Sequence, residues 1–125
     1  MTVVYDAGAL IAADRSDRSV WADHRVRLEL GVVPVTTAPV VAQVSRSARQ
    51  AQLRRFLRGC EVVAFAEPDA HDVGSIAGRS AATDVVDVHV VSVAHERGFG
   101  VLTTDPGDLR QIVDSFPRRV PILAV

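Results

Sequence analysis

Apolar and polar positions along the chain alternate between short β-branched runs and longer stretches of helical periodicity. Thr2 to Tyr5 predicts a buried strand, and Ala7 to Ala13 a short helix whose N-terminus points back at Asp6. After a polar connection, Val20, Trp21, His24, Leu28 and Leu30 recur at about helical spacing, and Gly31 closes the segment. Val32 to Val35 predicts a second strand; Thr36 or Thr37 then caps a helix with Pro39 in its first turn. The pattern stays helical from Arg49 to Gly59, with Leu53, Phe56 and Leu57 on one face and Arg54, Arg55 and Arg58 toward another. Glu61 to Phe65 predicts the third strand, and Pro68 to about Ala82 a helix with Asp69 and Asp72 in its first turn. A valine- and alanine-rich helix follows from Thr83 to Arg97, then a strand from Val101 to Thr103, a helix from Pro106 to about Asp114, and a final strand from Val120 to Val125.

Strands that alternate with helices throughout imply a mostly parallel sheet covered on both faces. The expected fold is therefore α/β, a three-layer α/β/α sandwich with a central sheet of four to five strands, in one domain over residues 1–125. Two carboxylates follow strand ends, Asp6 after the first and Asp105 after the fourth. Open α/β sheets bind their ligands at that carboxyl edge, where the strand order reverses. Gly8 is read as letting the backbone turn from strand into helix.

Composition narrows the setting. Hydrophobic residues make up 48% and charged residues 23%, the balance of a globular chain. No apolar run approaches the roughly 18 residues of a membrane span, and a strand stands where a secretory signal would place its apolar core. The expected location is the cytoplasm, with no membrane partner. Cys60 is the only cysteine, which excludes an internal disulfide, and it reads as a small buried apolar residue. The net charge of −1 hides an asymmetry: all fourteen basic residues are arginine, and several cluster between Arg46 and Arg58.

Asp84 and Asp87 lie three apart on one face of an apolar helix and can reach the edge that carries Asp6 and Asp105. Converging carboxylates repel, and their pKa values rise unless a cation neutralises them. Mg²⁺ or Mn²⁺ is the expected cofactor, because hard cations prefer oxygen ligands. Such an ion activates water and steadies charge on a leaving oxygen, which is the chemistry of phosphodiester hydrolysis. An aspartate before a helix is often only a cap, and Asp84, Asp105 and Asp108 all precede or open predicted helices. Asp87, inside its helix, and Asp6, directly after an apolar strand, do not reduce to capping so simply.

Four stretches, VVYDAGALIA, TTAPVVAQVSR, TDVVDVHVVSVA and VLTTDPGDL, together resemble the PIN-domain family and, within it, the VapC-like toxins of type II toxin–antitoxin pairs. The resemblance implies a Mg²⁺- or Mn²⁺-dependent endoribonuclease with Asp6, Asp87 and Asp105 as catalytic and metal-binding acids. Thr103 matches the hydroxyl residue two before the last acid. Gln43 stands where the family usually has its second acid. A glutamine carbonyl can accept a hydrogen bond but binds a cation more weakly than a carboxylate and cannot act as a base. The expectation is a weakened activity, with Asp84 or Asp108 partly supplying the missing charge. The resemblance also implies a VapB-like antitoxin, an RNA substrate such as tRNA, and a homodimer.

Arg46 and Arg49, with Arg54, Arg55 and Arg58, are expected to flank the site and grip an RNA backbone, in binding that weakens with salt. His89 and His95 read as core or surface residues, and Trp21 as a packing anchor. Two other classes stay open: a PIN-fold module that binds RNA or an antitoxin without cutting, and a DNA nuclease using the same acids.

Overall fold

In a computed structural model describing residues 1–125, the five expected strands form one sheet: β1 (Val3–Tyr5), β2 (Val35–Thr37), β3 (Glu61–Val63), β4 (Gly100–Thr103) and β5 (Ile122–Ala124). Every pairing is parallel, in the order β3-β2-β1-β4-β5. The chain adds strands outward from β1 to β3, then crosses to the other side of β1 for β4. The order therefore reverses between β1 and β4, where Val3, Val4 and Tyr5 pair with Gly100, Val101 and Leu102.

Seven helices cover the sheet. On one side lie α1 (Ala7–Asp14), α2 (Arg18–Glu29), α3 (Ala38–Val44) and α4 (Ala51–Leu57); on the other lie α5 (Glu67–Ser80), α6 (Val85–Arg97) and α7 (Arg110–Val113). This division follows from right-handed crossovers: connections running outward from β1 to β3 fall on one face, and the return to β4 and β5 on the opposite face. The result is a three-layer α/β/α sandwich. None of the helices is long and apolar enough to cross a membrane.

Several bounds differ from the sequence expectation. The second strand occupies Val35–Thr37 rather than Val32–Val35, because Gly31 takes the left-handed conformation (φ 76°) after α2 and the intervening residues serve as a connection. Thr36 and Thr37 are thus fully buried strand residues, and Thr37 also caps α3, its side chain accepting from Val40 N. The Pro106–Asp114 helix is a 3₁₀ turn over Pro106–Leu109 that passes into the one-turn α7. A loop over residues 45–50 separates α3 from α4, held by Gln50, whose Oε1 accepts from Arg46 N and Ser47 N.

A single cluster of 23 buried apolar residues spans both faces of the sheet. β1 contributes Val3, Val4 and Tyr5, all fully buried, and α6 contributes Val88, Val90, Val91, Val93 and Ala94. α6 is buried on most of its circumference, which explains why its sequence shows an apolar run instead of an amphipathic stripe. Under α1, α2 and α4 sits an aromatic cluster. His24 stacks on Phe56 with ring centroids 3.8 Å apart and receives or gives a hydrogen bond at Nδ1 to the Tyr5 hydroxyl at 2.9 Å. Cys60 lies beside this cluster, half-buried; burial pushes its thiol up to about 12, which leaves it unreactive. His89 is buried, edge-on to Phe65, so it is a packing residue as expected.

Candidate metal centre at the carboxyl edge

Asp6 is only 7% exposed, and both its oxygens are engaged. Oδ1 accepts from Ala9 N at 2.9 Å, capping α1, while Oδ2 accepts from the Thr103 hydroxyl at 2.5 Å. The Asp6 backbone N–H donates to Leu102 O at 3.4 Å, which carries the β1–β4 ladder one residue beyond the strand. Thr103 in turn accepts at Oγ1 from Asp105 N at 3.0 Å. One buried hydroxyl therefore fixes the ends of two adjacent parallel strands to each other, with a carboxylate on each. Each Asp6 oxygen still has a free lone pair for another partner.

Burial lifts the Asp6 carboxyl above the usual carboxylate range, against the hydrogen bonds from Thr103 and Ala9 that lower it; repulsion from Asp108 and Asp105 adds to the rise. Asp87, one turn into α6, is pushed up to about 7, first by burial and then by the negative charges of Asp84, Asp6 and Asp108. These couplings place Asp6, Asp84, Asp87, Asp105 and Asp108 within one another's field at the edge where strand order reverses. Asp84 also caps α6, accepting at Oδ1 from Val86 N and Asp87 N. Asp105 precedes the 3₁₀ turn without capping it, so its carboxylate is free for another role.

The donor set fits a hard divalent cation: several carboxylates, no competing thiol or imidazole, and one acid that retains its proton near neutrality for want of a countercharge. The side chains do not, however, form a finished site, because no three His, Cys, Asp or Glu side chains lie close enough together to hold a metal ion. Asp105 and Asp108 are exposed, whereas Asp6 is buried and held by two hydrogen bonds.

Gln43 is exposed and lines a groove of about 540 Å³ with Ile11, Asp14, Arg15 and Arg46, none of them an acid of the cluster. Arg46 thus shares a groove with Gln43, whereas Arg49 lies in the exposed loop before α4. Thr104 escapes a reading of the sequence, and the role expected of Gly8 as a turn is corrected. Gly8 is helical, and its lack of a side chain serves space rather than turning: a Cβ there would stand 2.6 Å from Thr104 Oγ1. The glycine two residues after Asp6 and the second threonine of the TTD triplet were visible signals, but their contact beyond the ends of β1 and β4 was not.

No protein-family model and no curated protein matches this chain. Among solved structures, the crystal structure of PAE2754 from Pyrobaculum aerophilum is similar, with a TM-score of 0.65 and 17% sequence identity, over 98% of this chain and 83% of that one. At that identity the likeness shows the fold, and the fold it shows is the three-layer α/β/α sandwich described above.

Proposed function

We propose that the protein is a metal-dependent endoribonuclease, the toxin of a VapBC-type pair, which hydrolyses phosphodiester bonds of structured RNA such as tRNA. The observation that carries this reading is the gathering of carboxylates at the reversal point of the sheet, where the Thr103 hydroxyl ties Asp6 to the strand end that bears Asp105, and where Asp6 and Asp87 are both raised, first by burial and then by neighbouring acids. Holding a buried Asp6 and a half-buried Asp87 among further carboxylates is costly to folding, and a divalent cation would convert that cost into binding affinity. Asp6, Asp87 and Asp105 would hold Mg²⁺ or Mn²⁺, with Asp84 and Asp108 at its margin. When bound, the cation supplies water activation and neutralises charge developing on the phosphate and the leaving oxygen.

The chain's own residues perform the remaining tasks. Thr103 fixes the orientation of the Asp6 carboxylate through its 2.5 Å hydrogen bond and holds the backbone at Asp105 N at the same point, so one acid is oriented and the chain that carries the other is anchored beside it. Asp87, pushed up to about 7, holds its proton in the free protein at mildly acid pH, and it would have to release that proton to serve as a ligand of a bound cation. Arg46, beside Gln43, offers a cation to an RNA backbone that leaves the edge along α1. In this reading the protein works in the cytoplasm, and the exposed Val26, Leu28, Leu30 and Val33 at the end of α2 fit an apolar contact with an antitoxin or a second copy.

A second reading, a weakened module that holds RNA or an antitoxin without cutting, is favoured by the open geometry of the acids and by Gln43 in place of a carboxylate. Calorimetric titration with Mn²⁺ beside cleavage of a total tRNA pool separates the two. The nuclease reading expects Mn²⁺-dependent cutting that Asp6→Ala reduces at least about 100-fold, and a gain in both metal affinity and rate in Gln43→Glu. RNA binding with no cutting, in the parent and in Gln43→Glu alike, favours the module.

A further inference from the structure

A group of three arginines outside any ion pair lies away from the acids, at the opposite end of α1. There Ser16, Arg18, Trp21, Arg25, Gln52 and Arg55 line a cavity of about 400 Å³ between α2 and α4. The volume is in the range of small-ligand pockets. The lining has three arginines and no acid, and the ion pairs of the protein involve Arg27, Arg97 and His71 but none of these three. Like charges gathered around one concavity repel, and an anion inside it relieves that repulsion.

The aromatic wall is fixed rather than loose. Trp21 Nε1 donates to Ala13 O at 2.9 Å, and the ring meets Phe56 edge-on at 5.1 Å between centroids. The Arg55 guanidinium lies over the indole, 5.7 Å from its centroid, and Arg55 Nη1 donates to Gln52 Oε1 at 3.2 Å. An indole and a stacked guanidinium are both platforms for a planar base, and free arginine forks match phosphate oxygens in pairs. An acidic peptide would satisfy the charges but leave the stacking platform without a purpose.

The cavity also adjoins the groove that holds Gln43, Arg15 and Arg46, since Arg15 on that groove is followed directly by Ser16 on this cavity. From Asp6, the N-cap of α1, to the far end of that 8-residue helix is about 12 Å, a distance a few nucleotides of a single strand can span. We propose that the Trp21 cavity is a nucleotide-binding subsite that holds one phosphate-bearing unit of a single-stranded RNA away from the carboxylate edge, with Arg15 and Arg46 following the backbone between them. The class of ligand rests on the nuclease reading above; binding at this subsite needs no metal.

Trp21 is the only tryptophan of the chain, so its fluorescence reports on this cavity alone. The test is titration of the intact protein, in EDTA, with a single-stranded RNA of about eight nucleotides. The expected result is saturable quenching that weakens roughly tenfold between about 50 and about 150 mM salt, the slope of three phosphate contacts. Arg25→Glu and, separately, Arg18→Ala, both at exposed positions, should lose at least about tenfold in affinity with unchanged circular dichroism. Absence of quenching, quenching indifferent to both substitutions, or quenching by polyglutamate at equal affinity overturns the proposal. Quenching by RNA in a protein that never cuts with Mn²⁺ sinks the nuclease reading and leaves the subsite standing; cutting without quenching does the reverse.

Discussion

The two ends of α1 carry opposite charge and are built in opposite ways. At its N-terminus Asp6 is buried, doubly hydrogen-bonded and raised in pKa first by that burial and then by nearby acids; beyond its C-terminus Arg18, Arg25 and Arg55 are exposed and free of ion pairs. A site that binds a small cation needs ligands set in place beforehand, because strain and desolvation must be borne by the fold. A site that holds a flexible polyanion does not, since long side chains adapt to it. The comparison teaches that stability should be sensitive at the acidic end and nearly indifferent at the basic end, while salt dependence should show the reverse.

The sharpest way to break the comparison is Thr103→Val, which keeps the shape of the buried side chain and removes the hydroxyl that joins Asp6 to Asp105. Loss of such an orienting partner typically costs about 10- to 100-fold in metal affinity or activity. Calorimetry with Mn²⁺ should read that loss, while quenching of Trp21 by RNA in EDTA stays unchanged. An equal loss in both would mean that the two ends are not independent.

A smaller effect concerns pH. Asp87 binds its proton more tightly in the folded protein, at about 7, than in the unfolded chain at about 4. Its contribution to stability is therefore fully present below about pH 4 and is lost as pH rises through 7. With solvent screening at this half-buried group, the loss is on the order of 1 kcal/mol. Burial lowers the pKa values of His24 and His89, which favours the folded state as pH rises and opposes this trend, so the comparison is with Asp87→Asn. Between about pH 5 and about pH 8 the metal-free parent should lose more stability, or gain less, than the variant in thermal melts, and Mn²⁺ should offset that difference at about pH 8. A pH-independent Asp87→Asn increment would remove the electrostatic account of this residue.

The smallest expected changes are at Gly8 and, below it, at Arg25. A Cβ added at Gly8 would meet Thr104 Oγ1 at 2.6 Å, and because Thr104 is exposed its side chain can rotate away, so Gly8→Ala should cost about 1 kcal/mol or less. Combining it with Thr104→Ala should recover most of that loss in urea melts, a coupling expected of residues in contact. At the basic end, Arg25→Glu should change stability by no more than about 0.5 kcal/mol.

Local sequence alone determined much of this protein. The β-branched runs, the helical periodicity and their alternation specified a parallel sheet with helices on both faces, because burial on two sides leaves no polar alternation in strands such as Val3–Tyr5. Capping was legible at Thr37 and Asp84, since a short polar side chain at a helix start satisfies its free N–H groups, whereas Asp6, which the sequence set apart from the caps, caps α1 as well. The acids at strand ends were legible as candidates for the same reason that β1 and β4 were. What the sequence could not decide was which residues meet across the sheet. Only the strand order puts Thr103 against Asp6, Thr104 against Gly8, and Asp108 near both Asp6 and Asp87. The arginines show the same division. A run at Arg46 to Arg58 suggested one basic helix face, but folding sorts it: Arg55 joins Arg18 and Arg25 around Trp21, and Arg46 joins Arg15. Charge type and helix face are local properties, whereas the concavity that turns separate charges into a site exists only once the helices pack.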